Sequence, residues 1–115
     1  MIRAEPPIVR LDADAIVDWP TFHDVFAREF GFPDFYGRNM NAWIDCLTHL
    51  DDASAGMTTI HAAPGAVVTL VVEHAAAFAT RCPEQHAALV ECAEFVNRRR
   101  TDVGEAAVLV LALEG

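Results

Sequence analysis

The run Ala66-Val67-Val68-Thr69-Leu70-Val71-Val72 limits the fold more than any other stretch. It is apolar at nearly every position and rich in β-branched residues, which suits a strand covered on both faces. Such a strand belongs at the centre of a parallel sheet. Each parallel neighbour then needs a crossover of a dozen or more residues, usually a helix. The flanking sequence supplies both the strands and the crossovers. Ile8-Val9-Arg10-Leu11 reads as a short first strand, and Ala106 to Leu113 as a last apolar one.

Two helical patterns lie between the first strand and the central one. Asp18 is a good N-cap, Pro20 falls in the first turn, and Phe22, Val25, Phe26 and Phe30 recur at helical spacing before Gly31 stops the segment. Pro33 and Gly37 then bracket a turn, Asn39 caps the next helix, and Met40, Trp43, Ile44 and Leu47 form an i, i+3, i+4, i+7 stripe. After the central strand, Glu73 to Thr80 predicts a short helix. Pro83 opens a longer one to about Arg100, with Ala87, Leu89, Val90, Ala93 and Val96 on its apolar side. Asp12 to Ala15 is a connector. Asp51 to Gly65 is a long one, expected to be either functional or partly structured. The order β-α-α-β-α-α-β predicts an α/β fold: a small three-stranded parallel sheet with about four helices, in one domain over residues 1–115.

Charge narrows the function. The formal net charge is −9, which argues against binding a nucleic-acid backbone and suits a field that attracts cationic partners. Histidines aside, Arg81 is the only basic residue between Arg38 and Arg98, against Asp45, Asp51, Asp52, Glu73, Glu84, Glu91 and Glu94. Arg98-Arg99-Arg100 is read as cations complementing a helix C-terminus, not as a nucleic-acid patch. No run approaches the roughly 20 apolar residues of a membrane span, and Met1 to Pro7 has no apolar h-region, so the expected location is the cytoplasm. Cys46, Cys82 and Cys92, an odd number, are expected to be reduced and buried thiols.

The helix after Asn39 carries a second face, Asn41, Asp45, Thr48 and Asp52, roughly 110° around from its apolar stripe. Phe35 and Tyr36 sit in the loop just before it. An aromatic loop beside an acidic helix face suggests a protein that binds a basic partner. Catalysis is a poorer reading. Asp45 and His49 could form an acid–base dyad, but no Gly-rich phosphate loop or serine elbow accompanies them, and an i, i+4 ion pair is the simpler expectation. Cys46-x-x-His49 and Cys82-x-x-x-His86 are half-sites for zinc without a second half. His23, His61 and His74 carry no motif. The chain is therefore expected to be non-enzymatic, with no metal and no cofactor.

Pro33, Phe35-Tyr36-Gly37, Asn39, Ala42, Asp45, Cys46 and Leu47 together resemble the barstar family of intracellular ribonuclease inhibitors. The match holds its spacing over some fifteen positions, and the order of strands and helices extends it over most of the chain. The resemblance implies a loop and an acidic helix that plug the active site of a small basic ribonuclease. Asp45 would stand in for the substrate phosphate among the nuclease's cationic residues. Phe35, Tyr36, Gly37, Asn39, Asn41 and Thr48 would be the loop and rim contacts. This chain departs from the family pattern at several places. Asn41 stands where the prototype has a second Asp, Phe35 lacks a hydroxyl, Ile44 replaces a Trp that has moved to Trp43, and Arg38 is basic. His49 and Leu50 also differ, and the Asp51–Gly65 connector is longer. These changes imply a target different from the prototype's, either another basic ribonuclease or a basic protein of another kind.

Overall fold

Over residues 7–115, which the computed structural model describes, strands and helices follow in the order β1 (Ile8–Asp12), α1 (Trp19–Phe30), α2 (Met40–Thr48), β2 (Val68–Glu73), α3 (Ala75–Arg81), α4 (Pro83–Thr101) and β3 (Leu109–Leu113). Met1 to Pro6, on which the expectation of no secretory signal rests, lie outside the described residues. The strands are parallel in the order β1-β2-β3, with Ile8 opposite Thr69 and Val68 opposite Leu109. This is the α/β fold that the alternation of strands and helices predicts.

The β2 strand is central, as its apolarity requires, but its two faces are covered differently from the expectation. Val68, Leu70 and Val72 join Val9, Leu11 and Leu109 in the core. On the opposite face Ile8, Arg10 and Asp12 are exposed, and Thr69 and Glu73 are half-buried. Val71 is buried outside that core, in register between Arg10 and Ala112. Arg10 reaches Glu114 at 3.6 Å and Glu73 at 4.0 Å across the same face. Val71 is flanked on both sides within the sheet, and that central position accounts for its apolarity.

The first two helices follow their sequence signals closely. Asp18 Oδ1 accepts from the Thr21 N–H at 2.9 Å while Thr21 Oγ1 accepts from the Asp18 N–H at 3.1 Å, a reciprocal cap. Phe22, Val25, Phe26 and Phe30 are buried, and Gly31 ends α1 at φ 65°. Asn39 Oδ1 accepts from the Ala42 N–H at 2.8 Å and starts α2. Trp43, Ile44 and Leu47 are buried and Met40 is half-buried, with Phe26 meeting Trp43 edge-on at 5.6 Å between ring centroids. Trp43 Nε1 is buried without a hydrogen-bond partner.

The other boundaries move for identifiable reasons. Glu73 completes β2 and His74 turns the chain at φ 60°, so α3 begins at Ala75 instead of Glu73. On α4 the buried residues are Leu89, Ala93, Val96 and Arg100, while Ala87 is exposed and Val90 half-buried. Asn97 Oδ1 accepts from the N–H groups of Val108 and Leu109, and its Nδ2 donates to the Leu109 carbonyl. Asn97 thus anchors the entry to β3, which starts at Leu109 instead of Ala106. Asp12–Ala15 contains a short 3-10 turn, Ala13–Ala15. The Asp51–Gly65 connector contains another, Ala53–Ala55, and is pinned by Thr59 N–H to the Phe30 carbonyl at 2.9 Å and by Ala62 N–H to the Leu50 carbonyl at 2.8 Å.

Candidate functional site

The candidate face is built on α2 and the loop before it. Its aromatic pair divides between surface and interior. Phe35 is 75% exposed, the most exposed large apolar side chain among the described residues. Tyr36 turns inward: its hydroxyl shares a 2.6 Å hydrogen bond with His23 Nδ1 on α1, and its ring lies 4.7 Å from that of Phe32. Its polar tie is thus to the preceding helix. Burial holds the Tyr36 phenol above its ordinary range, so it stays protonated. Gly37 accepts from Asn39 Nδ2 through its carbonyl at 3.2 Å. Gly37, Asn39 and Asn41 are all exposed.

Arg38 sits between them with a left-handed backbone, φ 54°, which costs about 1–3 kcal/mol for a side-chain-bearing residue. The guanidinium is turned onto the start of α1, donating to Asp24 Oδ1 at 2.8 Å and to the Pro20 carbonyl at 3.0 Å. A cavity of about 250 Å³ opens here, lined by Trp19, His23, Arg38, Asn39 and Met40. A larger groove of about 340 Å³ between α4 and β3 is lined by none of the candidate residues.

Asp45 is half-exposed on the polar side of α2, but its carboxylate is engaged. Oδ1 accepts from Arg99 Nη1 at 2.6 Å. The expected Asp45–His49 ion pair is absent. His49 Nδ1 bonds the Asp45 backbone carbonyl at 2.8 Å instead, because the imidazole reaches the helix terminus before it reaches the side chain. Thr48 donates its hydroxyl back to the Ile44 carbonyl at 2.6 Å, so that hydroxyl is used within the helix. Asp52 lies beyond the end of α2 and caps the following turn through Ser54, so it does not extend the acidic face. Cys46, next to Asp45, is buried and free, and burial pushes its thiol up to about 11. Cys82 is buried and free as well, while Cys92 is only half-buried.

The arginine triplet does more than complement a dipole. Arg98, Arg99 and Arg100 occupy the last turn of α4. Arg100 is buried and donates to both oxygens of Asp51 at 3.0 and 2.6 Å, to the Thr48 carbonyl at 2.8 Å and to the Ala106 carbonyl at 2.7 Å. Sequence reasoning missed this tie. Its only sequence signal was Arg100 recurring at i+4 from Val96 on the buried side of α4.

Among the described residues, one group of metal-ligand type side chains converges: Asp12, Asp14 and His74, all exposed. His74 Nδ1 lies 2.7 Å from Asp12 Oδ1 and 3.4 Å from Asp14 Oδ2. The hydrogen bond to Asp12 raises the His74 pKa above the ordinary value, and the same bond lowers that of Asp12. The arrangement favours the protonated imidazole between two carboxylates.

His23 and His74 respond to pH with opposite sign. Burial, then the Arg38 guanidinium, holds His23 below the ordinary histidine value. The unfolded chain therefore takes up a proton near about pH 6.5 that the folded chain resists, and stability falls as pH drops through that range. His74, being raised, contributes stability fully below the unfolded value and loses it as pH rises through its folded value. Urea unfolding in a His74→Ala background should show stability falling between about pH 7.5 and about pH 5.5. His23→Gln in that background should remove most of the fall. An undiminished fall would show that His23 is not its source.

Among the described residues, no helix is long and apolar enough to cross a membrane. A family model described as Barstar (barnase inhibitor) matches residues 7–112, nearly the whole chain. No curated protein matches the chain.

Proposed function

Because the chain belongs to the barstar family, we propose that residues 1–115 act as one barstar-like domain: a non-enzymatic, cytoplasmic inhibitor or immunity-type binder of a small basic ribonuclease. The observation that carries this reading is the placement of Asp45. It stands half-exposed on the polar side of a helix whose other side is locked in the core, beside a loop that projects Phe35 into solvent. A carboxylate on a rigid helix can replace a substrate phosphate among cationic side chains, forming short charge-assisted hydrogen bonds. Phe35 supplies apolar contact area. Tyr36, braced by His23, sets the loop's shape, and Gly37, Asn39, Asn41 and Thr48 form the rim.

The test is inhibition of RNA cleavage by a basic ribonuclease of the barnase type. Asp45→Ala should weaken binding by about 2–5 kcal/mol, since it leaves a cation of the nuclease buried without its partner. Equal binding by wild type and Asp45→Ala would sink the reading.

Specific features favour a second reading, a barstar-like module that binds another basic protein without inhibiting a nuclease. Asn41 brings no charge to the face, while Arg38 and Arg99 each bring a cation to its margins. Such a module would retain a bound protein in affinity capture while leaving that protein's effect on RNA unchanged.

A further inference from the structure

We propose that Arg99 is a specificity residue of the α2 face. It holds the Asp45 carboxylate and selects against partners whose site is cationic throughout, in favour of a basic protein that sets a carboxylate beside the cation meeting Asp45. The inference rests on the reading of α2 as the binding face.

Three observations carry it. The first is the pair itself: Arg99 Nη1 to Asp45 Oδ1 at 2.6 Å, with the side chains 47% and 50% exposed. The pair lies where a partner can reach it. The second is that Arg99 is placed by its neighbour. Arg100 is buried and bonds Asp51 and the Thr48 carbonyl, so the end of α4 is fastened to the end of α2. Arg99 is therefore delivered to the polar side of α2 by a fixed helix end. The third is the balance of charge. In a chain of net charge −9, the margins of α2 carry Arg38 at one end and Arg99 near the other, and Asn41, one turn before Asp45, is neutral. The field of the whole chain draws a cationic protein in, while the face it meets has mixed charge.

The magnitudes decide what Arg99 does. As an exposed pair with Asp45 it is worth a factor of about 5 at most, so a partner's cation can share or displace it. Enclosed against a wholly cationic site, Arg99 would face like charges with little water to screen them, a penalty on the order of 10²-fold in affinity. A carboxylate in the partner's site would meet the guanidinium and remove that penalty, and the Asp45–Arg99 pair would then exchange for two pairs across the interface.

The probe is barnase, the ribonuclease in the family's description, with the acidic residues of its active site replaced by alanine so that the site is cationic throughout. Its affinity for the full chain is measured by calorimetry, with unmodified barnase compared in parallel. Wild type, Arg99→Ala, Arg98→Ala, Asp45→Ala and the Asp45→Ala/Arg99→Ala double variant are compared, each first shown by circular dichroism to be folded. Arg99→Ala should bind this acid-free site about 10²-fold more tightly than wild type does, with a smaller gain toward unmodified barnase. The double variant should lose that gain, and Arg98→Ala, which removes an equal charge in the same turn, should shift affinity by less than about 5-fold. The proposal is overturned if Arg99→Ala binds no better than wild type, including the case in which neither binds, or if Arg98→Ala gains as much. The two failures are separable. Binding that depends on Asp45 but ignores Arg99 removes only the role given to Arg99, whereas a gain in Arg99→Ala that survives in the double variant removes α2 as the binding face.

Discussion

Asp51→Ala is expected to lower stability by about 3–5 kcal/mol, the range for removing one partner of a buried ion pair. That corresponds to a fall in melting temperature on the order of 10–20 °C for a chain of this size. The reason is the environment of Arg100. Its side chain is only 5% exposed and its fork of donors is matched to both Asp51 oxygens. Without Asp51, the remaining acid is Glu105, 3.6 Å from Nη1 and half-exposed, which compensates only in part. Adding Arg100→Met to Asp51→Ala should recover much of the loss, because the buried charge is then gone while most of the side-chain volume stays. A loss below about 1 kcal/mol for Asp51→Ala would show that the clamp contributes no more than a surface pair.

Gly31→Ala should be nearly as damaging, at about 2–4 kcal/mol, from two additive causes. The left-handed backbone at φ 65° costs a non-glycine residue about 1–2 kcal/mol. A Cβ there would also lie 2.0 Å from Thr59 Oγ1 and 2.8 Å from Thr59 Cβ. Thr59 cannot retreat freely, since its N–H donates to the Phe30 carbonyl and fastens the long connector to the end of α1. Thr59→Gly should therefore rescue part of the Gly31→Ala loss while leaving the backbone cost in place. Denaturant unfolding of both single variants and the double gives the comparison. A Gly31→Ala protein within about 0.5 kcal/mol of wild type would refute both causes.

These two positions also show what a linear sequence can and cannot disclose. Gly31 was legible as a helix stop because the signal is local: an apolar stripe ends and a residue tolerant of positive φ follows. The caps at Asp18 and Asn39, the stripe on α2 and the parallel order of the strands are legible for the same reason, since short-range spacing and crossover rules determine them. Arg100 is a different case. Three consecutive arginines on a helix look solvated until α2 is placed beside α4, and then one of them proves buried and another seated on Asp45. The Tyr36–His23 hydrogen bond spans two elements in the same way. His49 misleads for a subtler reason, because i, i+4 spacing brings it near Asp45 without deciding between carboxylate and carbonyl. The open sheet face was hidden because a central strand is apolar whether a helix or only its neighbours cover it.

The parallel register carries one more consequence. Ile8 pairs with Thr69 and Val68 with Leu109, so each strand contact closes a long loop and carries its entropic cost. Sheet closure is thus expected to follow the formation of α1 and α2, whose contacts are local. The same late stage seats the end of α4, because Asn97 and Arg100 both bond the segment leading into β3. Loss of that stage by partial unfolding would strip α2 of its brace and of the cation on Asp45 in one event. The charge that the face presents is therefore tied to the integrity of the sheet.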